Sequence, residues 1–419
     1  MACLTICGPC RVEGSIPVQG SKNSTLPLLA AALLCRGETI LHGCPALSDV
    51  TACCAILEHL GCRCRRDGDT ICVDSSGPVC SCIPDALMRE MRSSIVFLGP
   101  VLARTGEAEV TFPGGCEIGA RPIDIHIAAL KKLGTRIEES GGRLRCLAPE
   151  GLRGAEIVLP FPSVGATENI LLAAVCAKGE TVVKNAAREP EIADLAEFLN
   201  RCGAKVYGAG EGTLRIEGGR PLHGAEHRVI PDRIWASTFL AAAAATGGEI
   251  CLERACPQHL EPVLPVLEEA GCTIHTAVDT IWLQAPERLR ALPPVRTMPY
   301  PGFPTDSQAL LMAAAAVARG TSIFVENIFE SRFKHAPELV RMGANIRTEG
   351  KVAVVEGVRR LWGARVCARD LRGGAALAIA GAAACGRTII ENAGLIDRGY
   401  EALEKSLAAV GVRAGRCGT

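Results

Sequence analysis

The sequence predicts an α/β (α+β) protein of two domains. Each is an inside-out α/β barrel, with buried helices wrapped by sheets and amphipathic helices, and six repeated units of about 70 residues build the pair. Three observations predict it. The chain has 419 residues, too long for one ordinary core, which sets two domains as the expectation. A glycine follows an apolar run at Gly37, Gly106, Gly179, Gly248, Gly320 and Gly386, in steps of 69, 73, 69, 72 and 66 residues. A second glycine series, Gly61, Gly134, Gly203, Gly271, Gly343 and Gly411, advances by 73, 69, 68, 72 and 68. Two independent markers with one period are the signature of a repeat architecture.

The elements of each unit follow in order. First comes an apolar helix: Leu26 to Leu34, Ile95 to Ala103, Ile170 to Ala177, Phe239 to Ala245, Ala309 to Ala318 and Ala375 to Cys385. None has a polar stripe, so each is expected to be buried all round. The glycine after each suits a left-handed cap. A strand then begins at Glu38, Ala108, Thr181, Glu249, Ser322 and Thr388. A second helix ends at the second glycine, and short strands such as Thr70-Ile71-Cys72-Val73 close the unit. Joints near Ser21-Lys22 and Val229-Ile230 divide the chain. Residues 22–229 form one expected domain, and residues 1–21 with 230–419 form the other, the N-terminal strand completing it.

Composition narrows the function. Lys plus Arg and Asp plus Glu are 45 each, so the basic excess of a nucleic-acid or polybasic membrane binder is absent. The apolar runs fall short of the roughly 18–20 residues that a membrane span needs. No basic stretch followed by an apolar run opens the chain, so no secretory signal is expected. A cytoplasmic protein is the expectation. The 22 cysteines do not suggest a disulfide scaffold, since such scaffolds are small and secreted. Cys7-Gly8-Pro9-Cys10 has redox-motif spelling, but a helix should start at its first cysteine, and a strand-like alternation follows instead. No Cys or His pairs have zinc-site spacing.

Two features carry chemistry. Pro113 to Pro122 sets Cys116 among Gly114, Gly115 and Gly119, which reads as a surface loop presenting a thiol, although a packed small hydrophobe is the alternative. The starts of the buried helices carry Lys22, Arg92, Arg233 and Arg372 beside capping residues such as Ser21, Ser163, Asp232 and Asp370. A cation there opposes the helix dipole. Its recurrence at equivalent positions points to an anionic ligand held by N–H groups and cations together.

Gly20-Ser21-Lys22-Asn23, Met91-Arg92-Ser93-Ser94, Pro113 to Pro122, Ala187 to Glu191, Pro231-Asp232-Arg233, Phe303 to Asp306, Phe329 to Phe333, Asp370-Leu371-Arg372 and Ile396 to Glu401 together resemble the UDP-N-acetylglucosamine 1-carboxyvinyltransferase family, the enolpyruvyl transferases that begin peptidoglycan synthesis. The resemblance runs nearly end to end. It implies transfer of enolpyruvyl from phosphoenolpyruvate to the sugar 3-hydroxyl with release of phosphate, in a cleft between the domains. Small molecules would be the only partners, with no nucleic acid, membrane, metal or cofactor. It implies that Asp306 takes the hydroxyl proton, that Cys116 protonates the methylene carbon, and that Lys22 and Arg398 assist catalysis. Asn23, Arg92, Arg121, Pro122, Ile123, Asp124, Ile125, Ser163, Val164, Gly165, Arg233, Ile328, Arg332, Asp370 and Arg372 would bind substrate together with Lys22, Asp306 and Arg398. Ser48 and Phe161 replace lysines common in the family, and Trp235 stands where an acidic residue is frequent. The same chemistry on another nucleotide sugar, or a non-catalytic sugar-nucleotide binder, are the alternatives.

Overall fold

The computed structural model describes residues 2–114 and 123–417. They separate into two compact units, one of residues 20–114 with 123–230 and one of residues 2–19 with 231–417. Each unit has its own hydrophobic core.

The internal helices occur where the apolar runs predict them: Lys22–Ala32, Leu98–Thr105, Val164–Ala174, Arg233–Thr246, Thr305–Ala315 and Leu371–Ala383. Burial on all sides explains their missing polar stripe. Every residue from Arg372 to Ala382 is buried, for example. The helix at Leu98 is entered through a 3-10 segment, Arg92–Phe97, so Arg92 begins that segment and not the α-helix. In the unit containing the C-terminal half, its three internal helices pack against one another pairwise. Their many buried alanines permit close approach.

Among the described residues there are six sheets, five four-stranded and one three-stranded. The recurring plan is an antiparallel set joined by a parallel strand from the preceding repeat. Glu156–Val158 runs parallel to Glu180–Lys184, and Arg365–Cys367 to Gly386–Glu391. Each unit closes on itself. Glu226–Arg228, at the end of the third repeat, pairs in parallel with Glu38–His42 of the first. Likewise Glu13–Pro17 pairs in parallel with Glu249–Glu253, and Cys3–Gly8 pairs with Gly386–Glu391.

The glycine series is used in two ways. All six of the second series, from Gly61 to Gly411, have positive φ. In the first series only Gly106 is itself a left-handed helix cap. In the fourth repeat Gly247 (φ 62°) takes that role, not Gly248. Gly37, Gly179, Gly320 and Gly386 are left-handed at the entry to the following strand, after a short turn. Cys7 lies inside strand Cys3–Gly8, and no helix begins there. Cys10 Sγ donates to Cys7 O at 3.0 Å.

Candidate active site

In the unit of residues 2–19 and 231–417, the start of helix Thr305–Ala315 exposes Asp306, and a buried guanidinium meets it. Arg332 Nη2 is 2.7 Å from Asp306 Oδ1, and the same side chain donates to Thr305 O at 3.3 Å. Arg332 Nη1 lies 3.6 Å from Asp370 Oδ1, and Arg372 Nε 3.9 Å from Asp306 Oδ1. The side chains of Arg332 and Arg372 are each 3% exposed, whereas that of Asp306 is 33% exposed. The carboxylate is thus the accessible member of a buried charge cluster.

The folding of this region explains the geometry. Asp370 caps its helix, Oδ1 accepting from the N–H groups of Arg372 and Gly373 at 3.1 and 2.9 Å. The cap fixes Arg372 at the first turn. Its guanidinium sits 5.3 Å from the centre of the Tyr400 ring, a favourable cation–π position. Tyr400 is itself fixed through its hydroxyl, 2.7 Å from Thr238 Oγ1, and burial pushes its phenol above the usual range. Asp232 caps the helix that starts at Arg233, accepting from the N–H groups of Ile234 and Trp235, and Arg233 lies over the Tyr300 ring. Gln19 Nε2 donates to Gly399 O at 3.0 Å, anchoring the segment that follows half-buried Arg398.

Glu326 completes the cluster and was not legible as a site residue. Its Oε1 accepts from the N–H groups of Ile328 and Phe329 at 2.9 and 3.0 Å. Its Oε2 accepts from Thr305 Oγ1 at 3.0 Å. One buried carboxylate therefore shapes the Ile328 loop and sets the helix start beside Asp306. His335 lies behind, 1% exposed. Burial pushes its pKa down to about 4, against the Asp370 charge and with that of Arg332.

The other unit carries its own set. Ser21 caps helix Lys22–Ala32, Oγ accepting from Ser24 N. Lys22 at the first turn is buried, with Nζ 2.6 Å from Asp49 Oδ2. Asp49 opens helix Ser48–His59 and answers the cation with a carboxylate inside the protein. Asp49 was not legible as a site residue, and its neighbour Ser48, which stands out in the sequence, is exposed. A lone acid inside the first turn of an apolar helix was the available signal. Asn23 and Arg92 are half-buried nearby in sequence and at the 3-10 start, respectively. Ser163 caps the helix that begins at Val164, and Gly165 is constrained because a Cβ there would stand 3.2 Å from His126 Cε1. Ile123 is buried, Asp124 exposed and Ile125 half-buried at the start of helix Asp124–Lys132.

Cys116, Arg121 and Pro122 lie outside the described residues. Of the three departures, Phe161 is 43% exposed, and Trp235 is a core residue, 2% exposed, its ring centre 4.1 Å from that of Phe239 at a tilt of 31°. Trp235 is therefore explained by packing.

A family model described as EPSP synthase (3-phosphoshikimate 1-carboxyvinyltransferase) matches residues 6–407. The fold agrees with solved structures. The enolpyruvyl transferase NikO from Streptomyces tendae superposes with a TM-score of 0.89 at 24% identity, covering 99% of this chain and 98% of that one. EPSP synthase from Acinetobacter baumannii gives 0.75 at 19% identity, covering 100% of both chains. These define the class: an enolpyruvyl (carboxyvinyl) transferase fold. Two much closer relatives refine it. UDP-N-acetylglucosamine 1-carboxyvinyltransferase 2 of Caldanaerobacter subterraneus subsp. tengcongensis is 52% identical, covering 96% of each chain. UDP-N-acetylglucosamine 1-carboxyvinyltransferase 1 of Symbiobacterium thermophilum is 51% identical, over 98% of this chain and 94% of the relative. The chain belongs to the EPSP synthase family of carboxyvinyltransferases, on the branch of the UDP-N-acetylglucosamine 1-carboxyvinyltransferases.

Proposed function

We propose that this protein transfers the enolpyruvyl group of phosphoenolpyruvate to the 3-hydroxyl of UDP-N-acetylglucosamine. Phosphate is released, and the reaction is the first committed step of peptidoglycan synthesis. The observation that carries the reading is the pairing of accessible Asp306 with buried Arg332 and Arg372 in a chain about half identical to enzymes of that name.

The chemistry assigns a part to each group. Asp306 accepts the proton of the attacking hydroxyl as its oxygen bonds to the central carbon of phosphoenolpyruvate. Cys116 supplies a proton to the methylene carbon. Loss of that added proton equivalent and of phosphate from the resulting tetrahedral adduct restores the double bond. Arg332 orients Asp306, and prearranged cations stabilise the charge of the adduct. Lys22, Arg92, Arg121, Arg372 and Arg398 meet the phosphate and carboxylate oxygens, where an arginine fork matches oxygens in pairs. Asn23 holds the sugar. Ser163 to Gly165 and Arg121 to Ile125 hold the nucleotide, with Arg233, Ile328 and Asp370 completing the binding set. No metal or other cofactor has a part in this scheme.

Among the described residues no helix is long and apolar enough to cross a membrane, and a cytoplasmic location fits a nucleotide-sugar substrate. A phosphate-release assay with phosphoenolpyruvate and a panel of nucleotide sugars tests the function. Turnover with UDP-N-acetylglucosamine well above the others is expected. Preference for another sugar, or sugar-nucleotide binding with no phosphate release, would replace the reading.

A further inference from the structure

A cavity of about 750 Å³ opens in the unit of residues 20–114 and 123–230. It lies at the C-terminal ends of the internal helices, the opposite ends from Lys22 and Ser163. Arg36, Arg104 and Arg220 line it against a single carboxylate, Glu107, with Leu34 and Leu222 among the apolar lining.

Arginine at helix C-termini ordinarily caps carbonyls. The other unit shows that use. Arg288 donates to the carbonyls of Val317, Ala318, Gly357 and Val358 at 2.9, 2.7, 3.3 and 3.0 Å. The corresponding place in this cavity can be found by register. Arg319 N donates to Leu289 O as Arg36 N donates to Leu222 O, so Pro221 stands where Arg288 stands. The plug is missing and space remains.

The carbonyls ending helix Lys22–Ala32 do not need Arg36 or Arg220. The single Ser75 hydroxyl proton is shared between the carbonyls of Ala32 and Cys35, and Arg104 Nη2 donates to Ser75 O at 3.0 Å. The serine thereby covers the end of helix Lys22–Ala32. Glu107 is engaged by Ser81 Oγ at 3.0 Å. The Arg36 and Arg220 guanidiniums have no hydrogen-bond or ion-pair partner among the described residues. Two free forks beside apolar walls match paired phosphate oxygens attached to an organic group. The volume falls within the usual range of small-molecule sites, about 300–1,000 Å³.

We propose that this cavity is a second ligand site, separate from the transferase site, that takes an organic diphosphate between Arg36 and Arg220. Calorimetric titration of the full-length protein with ADP tests it. The Arg36→Ala/Arg220→Ala double variant should bind about 10-fold more weakly or worse, as should Arg220→Glu. Lys22→Ala, altered at the proposed transferase site, should bind as the unsubstituted protein does. Arg36 and Arg220 are exposed, so folding should survive, and matching melting curves verify that. Absence of ADP binding to the unsubstituted protein, binding indifferent to both cavity variants, or binding abolished by Lys22→Ala would overturn the proposal.

Discussion

Asp306 is held by a partner it cannot escape without rearrangement, since Arg332 is 3% exposed and also bonds Thr305 O. If Asp306 receives the hydroxyl proton, Asp306→Asn keeps the shape and removes the base. Turnover should fall by roughly 10²–10⁴-fold, while nucleotide-sugar binding measured by calorimetry persists. Turnover near the original value would remove Asp306 from the chemistry. The thiols present a second contrast at this scale. Burial pushes Cys44 and Cys272 up to about 12, and Cys146 and Cys176 up to about 11. At neutral pH they are protonated and slow nucleophiles. If the proposed role of Cys116 is right, a brief pulse of a phosphonate epoxide should alkylate it before these four, and faster with sugar nucleotide present. Mass spectrometry that finds these four thiols modified first would refute that role.

At the scale of elements, the buried helices and glycine periods were legible because both are local patterns. A run of apolar residues and a chain reversal leave their marks within a few positions. What could not be read was the approach of one repeat to the next. Gly154-Ala155, Gly224-Ala225 and Gly363-Ala364 precede the strands that join the following sheet in parallel. A Cβ on Gly154 would lie 2.1 Å from Glu180 O, on Gly224 1.8 Å from Glu38 O, and on Gly363 2.5 Å from Arg387 N and O. The reason for these glycines lies across the sheet, far away in sequence. The candidate site divides in the same way. Lys22, Asp306 and Arg372 stand in recognisable short segments, but Asp49 and Glu326 act through tertiary contacts. Gly224→Val should therefore disrupt pairing of Glu226–Arg228 with Glu38–His42 and cost several kcal/mol, on the order of other severe overpacking. Gly394→Ala, with nothing within 4 Å of the added Cβ, should be nearly silent. Urea denaturation of the two variants checks the pair, and equal midpoints would show that the close approach relaxes at little cost.

At the scale of the whole molecule, two separate cores make it useful to follow one unit at a time, and the tryptophans allow this. All three, Trp235, Trp282 and Trp362, belong to the unit of residues 2–19 and 231–417, so their fluorescence reports that unit's unfolding. His335 lies in the same unit, buried and neutral, with its pKa pushed by burial from the ordinary 6.5 down to about 4 and with Asp370 and Arg332 as its charged neighbours. Between those values the unfolded chain binds a proton at this position and the folded one does not. Stability from this residue is therefore complete above about pH 6.5, falls as pH drops toward 4, and levels off below that. The full difference is roughly 3 kcal/mol. Urea midpoints from tryptophan fluorescence should decline across that window, and the decline should be shallower in His335→Leu, which has no proton to gain. Parallel declines in the two proteins would mean that the acid sensitivity of this unit resides in its carboxylates and not in His335.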